Sequence, residues 1–342
     1  MRDYLALLSE RRTLSEDQAA DAMRLIMTGS FEPEEVAAFL LGLRARGETI
    51  DELAGFTRVM REFAIRVDPG DPNAIDLCGT GGDGISTFNI STTCAFVVAG
   101  AGVTVAKHGN RSVSSSCGSS DVLTMLGIET RLSKDGVEQC FRDAGMAFIF
   151  APLFHPALGH VMPVRRKLGV RTFFNILGPI CNPAFVQRQL IGCFKADVAE
   201  MMARILLRLE SDHVRVVHSR DGLDEISTSH LTDSYGFSSR GTSIAHEVID
   251  TQKLGLPRID LSSIRSGSPE ENRDILLSVL EGQAGPARDI VVANATYAIH
   301  VAGLYDSLSD CFEAANTSID SGAARTALQR LREVSLEADR IA

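Results

Sequence analysis

No apolar run in this 342-residue sequence is long enough to cross a bilayer. The longest, Cys94–Ala106, is short and rich in small residues, whereas a spanning helix needs about 20 apolar positions. No signal peptide is visible: Arg2 and Asp3 precede a short apolar stretch that ends at Glu10. Basic charge is scarce. The formal net charge is −10, and a general nucleic-acid binder leaves a basic footprint. There is no Cys-x-x-Cys pair. Cys78, Cys94, Cys117, Cys140, Cys181, Cys193 and Cys311 form an odd set, which reads as reduced thiols rather than a disulfide frame or zinc site. Internal repeats and low-complexity segments are absent as well. These absences predict a cytoplasmic protein with neither membrane nor nucleic-acid partners. With 44% hydrophobic and 23% charged residues, the chain has enough apolar material for two domains or one large α/β domain.

The most informative run is Asp76-Leu-Cys-Gly-Thr-Gly-Gly-Asp-Gly-Ile-Ser-Thr-Phe-Asn-Ile-Ser-Thr92. A strand-like stretch, Ala74–Leu77, enters a loop with glycine at 79, 81, 82 and 84. Hydroxyls and an amide follow at Ser86, Thr87, Asn89, Ser91 and Thr92, ahead of an apolar helical run. Glycine allows positive φ and close backbone approach to a ligand. Successive free N–H groups and a helix start attract anions. The run therefore predicts a phosphate or pyrophosphate site. It is no Walker A loop, because no Gly-Lys-Ser/Thr follows the glycines. It matches the letters of a dinucleotide fingerprint, but that reading wants a ribose-binding carboxylate about 20 residues on. Lys107-His108-Gly109-Asn110-Arg111 stands there instead, which argues against a dehydrogenase.

Residues 107–120 read as a second polar loop, with charge from Lys107 and Arg111 and adaptable hydroxyls from its serines. A third constellation, Arg220-Asp-Gly-Leu-Asp-Glu225, follows a predicted strand. Its adjacent Asp224 and Glu225 suit Mg²⁺, which takes one or two carboxylates plus substrate phosphates and water. An ordinary Asp-Gly turn is the bland alternative. Arg165-Arg166-Lys167 is a charge run of the kind that usually forms a solvated helix face; one of the three could instead hold a carboxylate or phosphate, and sequence physics does not choose which.

Residues 1–66 read as helices only. Ser15-x-x-Gln18 and Thr49-x-x-Glu52 are capping boxes, and Val36, Phe39, Leu40 and Leu43 repeat at helical spacing. Asp68–Asn73 is a turn-rich linker. From residue 74, strands at Ala74–Leu77, Gly102–Ala106, Met146–Phe150, Gln189–Cys193 and His213–His218 alternate with helical stretches. This predicts an α/β protein: a small all-helical domain at 1–70 and a larger, doubly wound, mostly parallel sheet domain at 71–342. The stretch 155–188 interrupts the alternation and is expected in part to rejoin the helical domain.

Taken together, Gly79-Thr-Gly-Gly-Asp-Gly84, Asn89-Ile-Ser-Thr92, Lys107-His-Gly-Asn-Arg111, Arg171-Thr-Phe-Phe-Asn-Ile-Leu-Gly-Pro179 and Asp221-Gly-Leu-Asp-Glu225 closely resemble the anthranilate phosphoribosyltransferases of tryptophan biosynthesis. The resemblance extends to Asn294-Ala295. It departs at Ser219, where glycine is usual, and at Ser266-Gly267, where Gly-Gly is common. It implies a nucleoside phosphorylase/phosphoribosyltransferase-like fold, a homodimer, and an active site in the hinge cleft. The implied reaction moves phosphoribose from 5-phosphoribosyl 1-diphosphate to the amino group of anthranilate and releases pyrophosphate. For the diphosphate it implies Gly79, Gly82, Asp83, Thr87, Asn89, Ile90, Ser91 and Thr92. The second run adds Lys107, His108, Gly109, Asn110, Arg111, Ser112, Val113, Ser114, Ser115 and Ser119. It assigns Ser91, Asp224 and Glu225 to Mg²⁺, and Gly79, Asn110 and Arg165 to anthranilate, with Arg165 on its carboxylate. No dedicated acid or base is implied; His108 takes the amine proton late or merely lines the pocket. A pyrimidine-nucleoside phosphorylase and a non-catalytic nucleic-acid-binding relative are the alternatives. The first is disfavoured because its Lys-His pair precedes the glycine loop, the second by the acidic charge balance.

Overall fold

The computed structural model describes residues 1–111, 117–238 and 241–340. The chain opens with four helices: α1 (Arg2–Ser9), α2 (Glu16–Met27), α3 (Pro33–Arg46) and α4 (Ile50–Glu62). Both capping boxes form. Ser15 and Gln18 exchange bonds at the start of α2, and Thr49 and Glu52 do so at the start of α4. Glu52 does more than cap: its fully buried carboxylate accepts from Leu14 N at 2.8 Å and pairs with Arg46.

An α/β unit follows, built from β1 (Ile75–Gly79), α5 (Ile90–Gly100), β2 (Val105–Gly109), α6 (Ser119–Met125), α7 (Lys134–Ala144) and β3 (Met146–Phe150). Helix α8 (Ala151–Phe154) follows directly, and the interrupting stretch holds α9 (Met162–Leu168) and α10 (Phe174–Ile180). Then come β4 (Arg188–Gly192), α11 (Ala196–Arg208), β5 (His213–Ser219), β6 (Thr232–Phe237) and β7 (Ala245–Ile249). Four helices close the chain: α12 (Pro269–Leu280), α13 (Pro286–Ala302), α14 (Leu308–Asp320) and α15 (Ala323–Glu337).

The seven strands form one sheet in the order β3-β2-β1-β4-β5-β6-β7, parallel through β5 and antiparallel at β6 and β7. Strand order reverses between β1 and β4, which is where ligands of open α/β sheets bind, at the strands' carboxyl ends. One apolar core joins α5, α7 and α12–α15 to one side of the sheet. The other joins α11 and the β4–β5 side to α1–α4, α9 and α10. Phe56 of α4 stacks on Phe173 at 4.3 Å, and Phe173 stacks on Phe174 at 4.5 Å. The interrupting stretch therefore packs on the N-terminal helices.

Three sequence expectations need correction. Strand β2 runs three residues later than expected: Gly102 is a turn residue at φ +95°. Lys107, His108 and Gly109 therefore close a buried strand rather than open a polar loop. Gly79 likewise ends β1 instead of starting the loop. Strands β6 and β7 have no counterpart among the expected strands. Thr232–Phe237 is polar and β7 is an exposed edge, so neither carries an apolar run to announce it. All seven cysteines are buried and free.

Gly79 and Gly192 are register partners across β1 and β4. The backbone of Asp224 crosses directly above them: a Cβ on Gly192 would collide with the Asp224 carbonyl. Gly192→Ala is expected to cost at least the roughly 1–3 kcal/mol of an overpacked core, whereas Gly159→Ala, with nothing within 4 Å of the added carbon, is expected to stay near wild type. Urea denaturation of both variants checks this; a Gly192→Ala protein as stable as wild type sinks the crossing argument.

Candidate active site

The glycine loop is held open by its backbone. Gly81, Gly82 and Gly84 sit at φ +66°, +76° and +79°, and even Ser86 is at +58°. Gly79 is needed for a different reason, since an added methyl carbon would stand 2.9 Å from Asp224 Oδ2. Thr80 N donates to Gly192 O at 2.9 Å, and Thr80 Oγ1 accepts from Phe194 N at 3.0 Å. Asp224 and Glu225 then hold the two ends of the loop. Gly81 N donates to Asp224 Oδ2 at 2.9 Å, and Ser91 N, in the first turn of α5, donates to Glu225 Oε1 at 3.1 Å. The turn carrying both acids is itself fixed by Asn294 of α13, which bonds the backbone N–H and C=O of Ile226.

Beneath the loop lies Lys107, 1% exposed. Its ammonium donates to Leu77 O at 2.7 Å and to Ser91 Oγ at 3.4 Å. Burial lowers its pKa, while Asp76 and Glu225 oppose that. Asp76 accepts from His108 N at 3.1 Å, and burial pushes its carboxyl up to about 6. The two acids of the turn are further displaced. Asp224 rises to about 7 through burial and then Asp83; Glu225 rises to about 8 through burial and then Asp224, with Lys107 pulling it down. Two adjacent desolvated carboxylates short of positive charge are the donor set a hard divalent cation satisfies.

The other predicted residues divide by depth. Asp83 and Thr87 are partly exposed on the loop. The side chains of Ile90 and Thr92 are sealed in the core, leaving only their backbone for a ligand. Asn89 donates from Nδ2 to Cys117 O at 3.2 Å, and its Oδ1 is buried without a partner among the described residues. His108 is buried 5.4 Å from the His155 ring; desolvation first, and His155 second, hold its pKa well below the usual range. Gly109 abuts Ser119 at the start of α6, and Asn110 and Arg111 emerge into solvent. Ser112, Val113, Ser114 and Ser115 lie outside the described residues.

Geometry separates the three cations that sequence could not. Arg166 and Lys167 are exposed. Arg165 turns inward, 4.8 Å over the ring of Phe174, with a polar contact to Met162 Sδ at 3.5 Å. Burial lowers its pKa, and it has no carboxylate partner among the described residues. Helix α10 connects it to the rest of the site, because Phe174 begins that helix and the backbone of its Gly178 opposes the lowering of the His108 pKa.

Sequence reasoning gave no role to Arg171. Its guanidinium meets the Gly82 carbonyl and lies 4.5 Å over the Phe194 ring. Asp76, Asn272 and Asn294 were missed as supports. Their partners lie in other segments, and only the tertiary structure reveals them.

A glycosyl transferase family matches the chain in two parts: its helical bundle domain over residues 2–64 and its a/b domain over residues 71–325. The anthranilate phosphoribosyltransferase of Salinibacter ruber is 53% identical over 342 residues, covering 99% of each chain. That of Symbiobacterium thermophilum is 48% identical, covering 97% of each. Among solved structures, the anthranilate phosphoribosyltransferase of Thermus thermophilus superposes with a TM-score of 0.91 at 36% identity, over 98% of this chain and 99% of that one. The Saccharomyces cerevisiae enzyme in complex with PRPP and Mg gives 0.88 at 26% identity, over 98% of this chain and 97% of that one.

The raised carboxyls predict a pH dependence. A group whose folded pKa lies above its unfolded value contributes stability that is complete below the unfolded pKa and lost as pH rises through the folded one. For Glu225 that window runs from 4.5 to about 8. Glu225→Gln keeps an acceptor for Ser91 N–H but removes the charge. In the presence of a chelator it should melt at least about 2 °C above wild type at pH 8 and level with it at pH 4.5. Thermal unfolding at both pH values decides; equal melting points at pH 8 rule the argument out.

Proposed function

The chain belongs to the anthranilate phosphoribosyltransferase family, and from that premise we propose how its cleft works. It is an enzyme that transfers the phosphoribosyl group of 5-phosphoribosyl 1-diphosphate to the amino group of anthranilate, giving N-(5-phosphoribosyl)anthranilate and pyrophosphate in tryptophan biosynthesis. The observation that carries our reading of the site is the double clasp of the glycine loop by Asp224 and Glu225 beside the buried Lys107. The relatives and solved structures named above are anthranilate phosphoribosyltransferases rather than nucleoside phosphorylases.

The diphosphate lies along Gly79, Gly82, Asp83 and Thr87, the start of α5 from Asn89 to Thr92, and the Lys107–Ser115 and Ser119 segment. Ile90 and Thr92 take part through their backbone. Ser91, Asp224 and Glu225 hold Mg²⁺. Among the described residues no group of three His, Cys, Asp or Glu side chains is arranged to hold an ion; Mg²⁺ typically takes one or two carboxylates together with substrate phosphates and water. Bound there, Mg²⁺ supplies charge stabilisation for the departing pyrophosphate. Lys107 and the loop N–H groups add to it from the protein side. The arylamine of anthranilate is neutral near pH 7, so no strong base has to start the attack, and catalysis rests on positioning and electrostatics. His108 either takes the amine proton late or lines the pocket, and the burial that lowers its pKa makes it a weak base. Anthranilate lies against Gly79 and Asn110, with its carboxylate on Arg165. We take the helical domain to be residues 1–70 joined by part of 155–188, and the α/β domain to be 71–342. We also take the enzyme to be a cytoplasmic homodimer, as the family resemblance implies; no helix among the described residues is long and apolar enough to cross a membrane.

Incubation with 5-phosphoribosyl 1-diphosphate, Mg²⁺ and anthranilate should extinguish anthranilate fluorescence. The double variant Asp224→Asn, Glu225→Gln should lose the Mg²⁺ dependence of diphosphate binding in calorimetry while staying folded. Persistent fluorescence with wild type ends the functional reading, and an unchanged Mg²⁺ dependence in the variant removes the two acids from the metal site.

Arg165 gives a second test. A charged hydrogen bond contributes about 1.5–3 kcal/mol, or about one to two powers of ten in affinity. Arg165→Ala is expected to raise the KM for anthranilate by that factor and to spare diphosphate binding. Arg166→Ala, on the exposed side of α9, is expected to do neither. Steady-state kinetics with each substrate varied separates them, and the reverse pattern overturns the anchor.

A further inference from the structure

The segment before α12 is laced to the glycine loop. Phe88 N donates to Ile264 O at 3.1 Å, Thr87 and Arg265 form a β-bridge, and Ser266 N donates to Ser86 O at 3.0 Å. A capping box between Ser268 and Glu271 then fixes the first turn of α12. That turn delivers Asn272, 1% exposed, to the N-cap residue of α5. Asn272 Oδ1 accepts from Asn89 N at 2.9 Å; Asn272 Nδ2 donates to Ser266 Oγ at 2.7 Å and to Ser268 O at 2.8 Å. Every polar atom of this buried amide is engaged, so its orientation is fixed. Its bond outside its own segment goes to Asn89, the N-cap residue of α5.

We propose that Asn272, oriented by the Ser266 hydroxyl, is a positioning residue for the phosphate-binding end of α5. An N-cap residue sets where the free N–H groups of the first turn point. Ser91 in that turn is bonded to Glu225, so a shift of Asn89 displaces the helix start relative to the acids as well. Asn89 also ties to Cys117 O through Nδ2. The Asn272 bond therefore helps fix the spacing between the two polar segments and the 224–225 turn. Ser266 is one of the two departures from the family pattern. Here its hydroxyl accepts from Asn272 and its N–H holds Ser86, so a glycine in its place would keep the second bond and lose the first.

The inference rests on the reading that 5-phosphoribosyl 1-diphosphate binds at this helix start. Wild type, Asn272→Ala and Ser266→Gly are to be compared by calorimetry with the diphosphate and Mg²⁺, by KM for each substrate, and by hydrogen exchange over residues 86–92. Asn272→Ala should weaken diphosphate binding by about tenfold or more. It should leave the anthranilate KM within about twofold and speed exchange at the Asn89 amide. Ser266→Gly should act in the same direction by about two- to fourfold, and it decides alone if Asn272→Ala does not fold. Unchanged exchange at Asn89, or a lower melting temperature with diphosphate affinity intact, overturns the proposal. If wild type binds no diphosphate, the site reading fails, while exchange at Asn89 still reports whether Asn272 positions it.

Discussion

The backbone of residue 224 crosses the carboxyl ends of β1 and β4 at a distance only glycine permits. Gly79 and Gly192 face each other in the sheet register; a Cβ on Gly192 would strike the Asp224 carbonyl, and one on Gly79 would crowd the Asp224 carboxylate. The turn is pinned from the other side by Asn294. Everything polar in the cleft is arranged relative to that crossing. Asp224 reaches the front of the glycine loop, Glu225 reaches the first turn of α5, and Lys107 lies between them and the sheet. A parallel sheet supplies the place, since β1 and β4 flank the point where strand order reverses. The glycines make that place close enough for backbone, carboxylate and ammonium to share it.

Such an assembly is electrostatically unsatisfied by itself. Asp76, Asp224 and Glu225 are all raised by burial, and Lys107 is lowered by it. A protein selected only for stability would not gather a buried acid and amine beside two half-buried acids. The imbalance makes sense as preparation for a ligand that brings both a divalent cation and a polyanion. Lys107 compensates only part of the acidic charge, in keeping with the metal and phosphate roles proposed for the acids and the glycine loop. The surrounding core, apolar on both faces of the sheet, supplies the stability that this local arrangement lacks.

Much of this is legible in the sequence, because some constraints are local. The glycine run, the helix start, the adjacent acids and the capping boxes each act within a few residues, and each appears where the sequence puts it. The rest depends on contacts between distant segments. Lys107 reads as a loop cation, since nothing in a single sequence says that a lysine can end a central strand with its ammonium on a carbonyl of the neighbouring strand. Gly79 reads as a conformational glycine, but the residue that needs its missing side chain lies 145 positions away, at Asp224. The polar strands β6 and β7 have no periodicity to reveal them. Arg165 cannot be told from Arg166 until α9 shows which of them faces Phe174.

The interrupting stretch between β3 and β4 is where fold and site meet. Phe173 stacks on Phe56 of the N-terminal helices, Phe174 carries Arg165, and the backbone of Gly178, one helical turn on, opposes the lowering of the His108 pKa at the end of β2. Arg171, just ahead, meets the glycine loop at Gly82. Between Arg171 and Gly178 the chain touches the helical domain, the inward-facing arginine, the buried histidine and the phosphate loop. The stretch therefore links the N-terminal helices to Arg165 and to the glycine loop through direct contacts. Packing of this density does not deform smoothly, so the stretch ties the surroundings of Arg165 to those of the glycine loop.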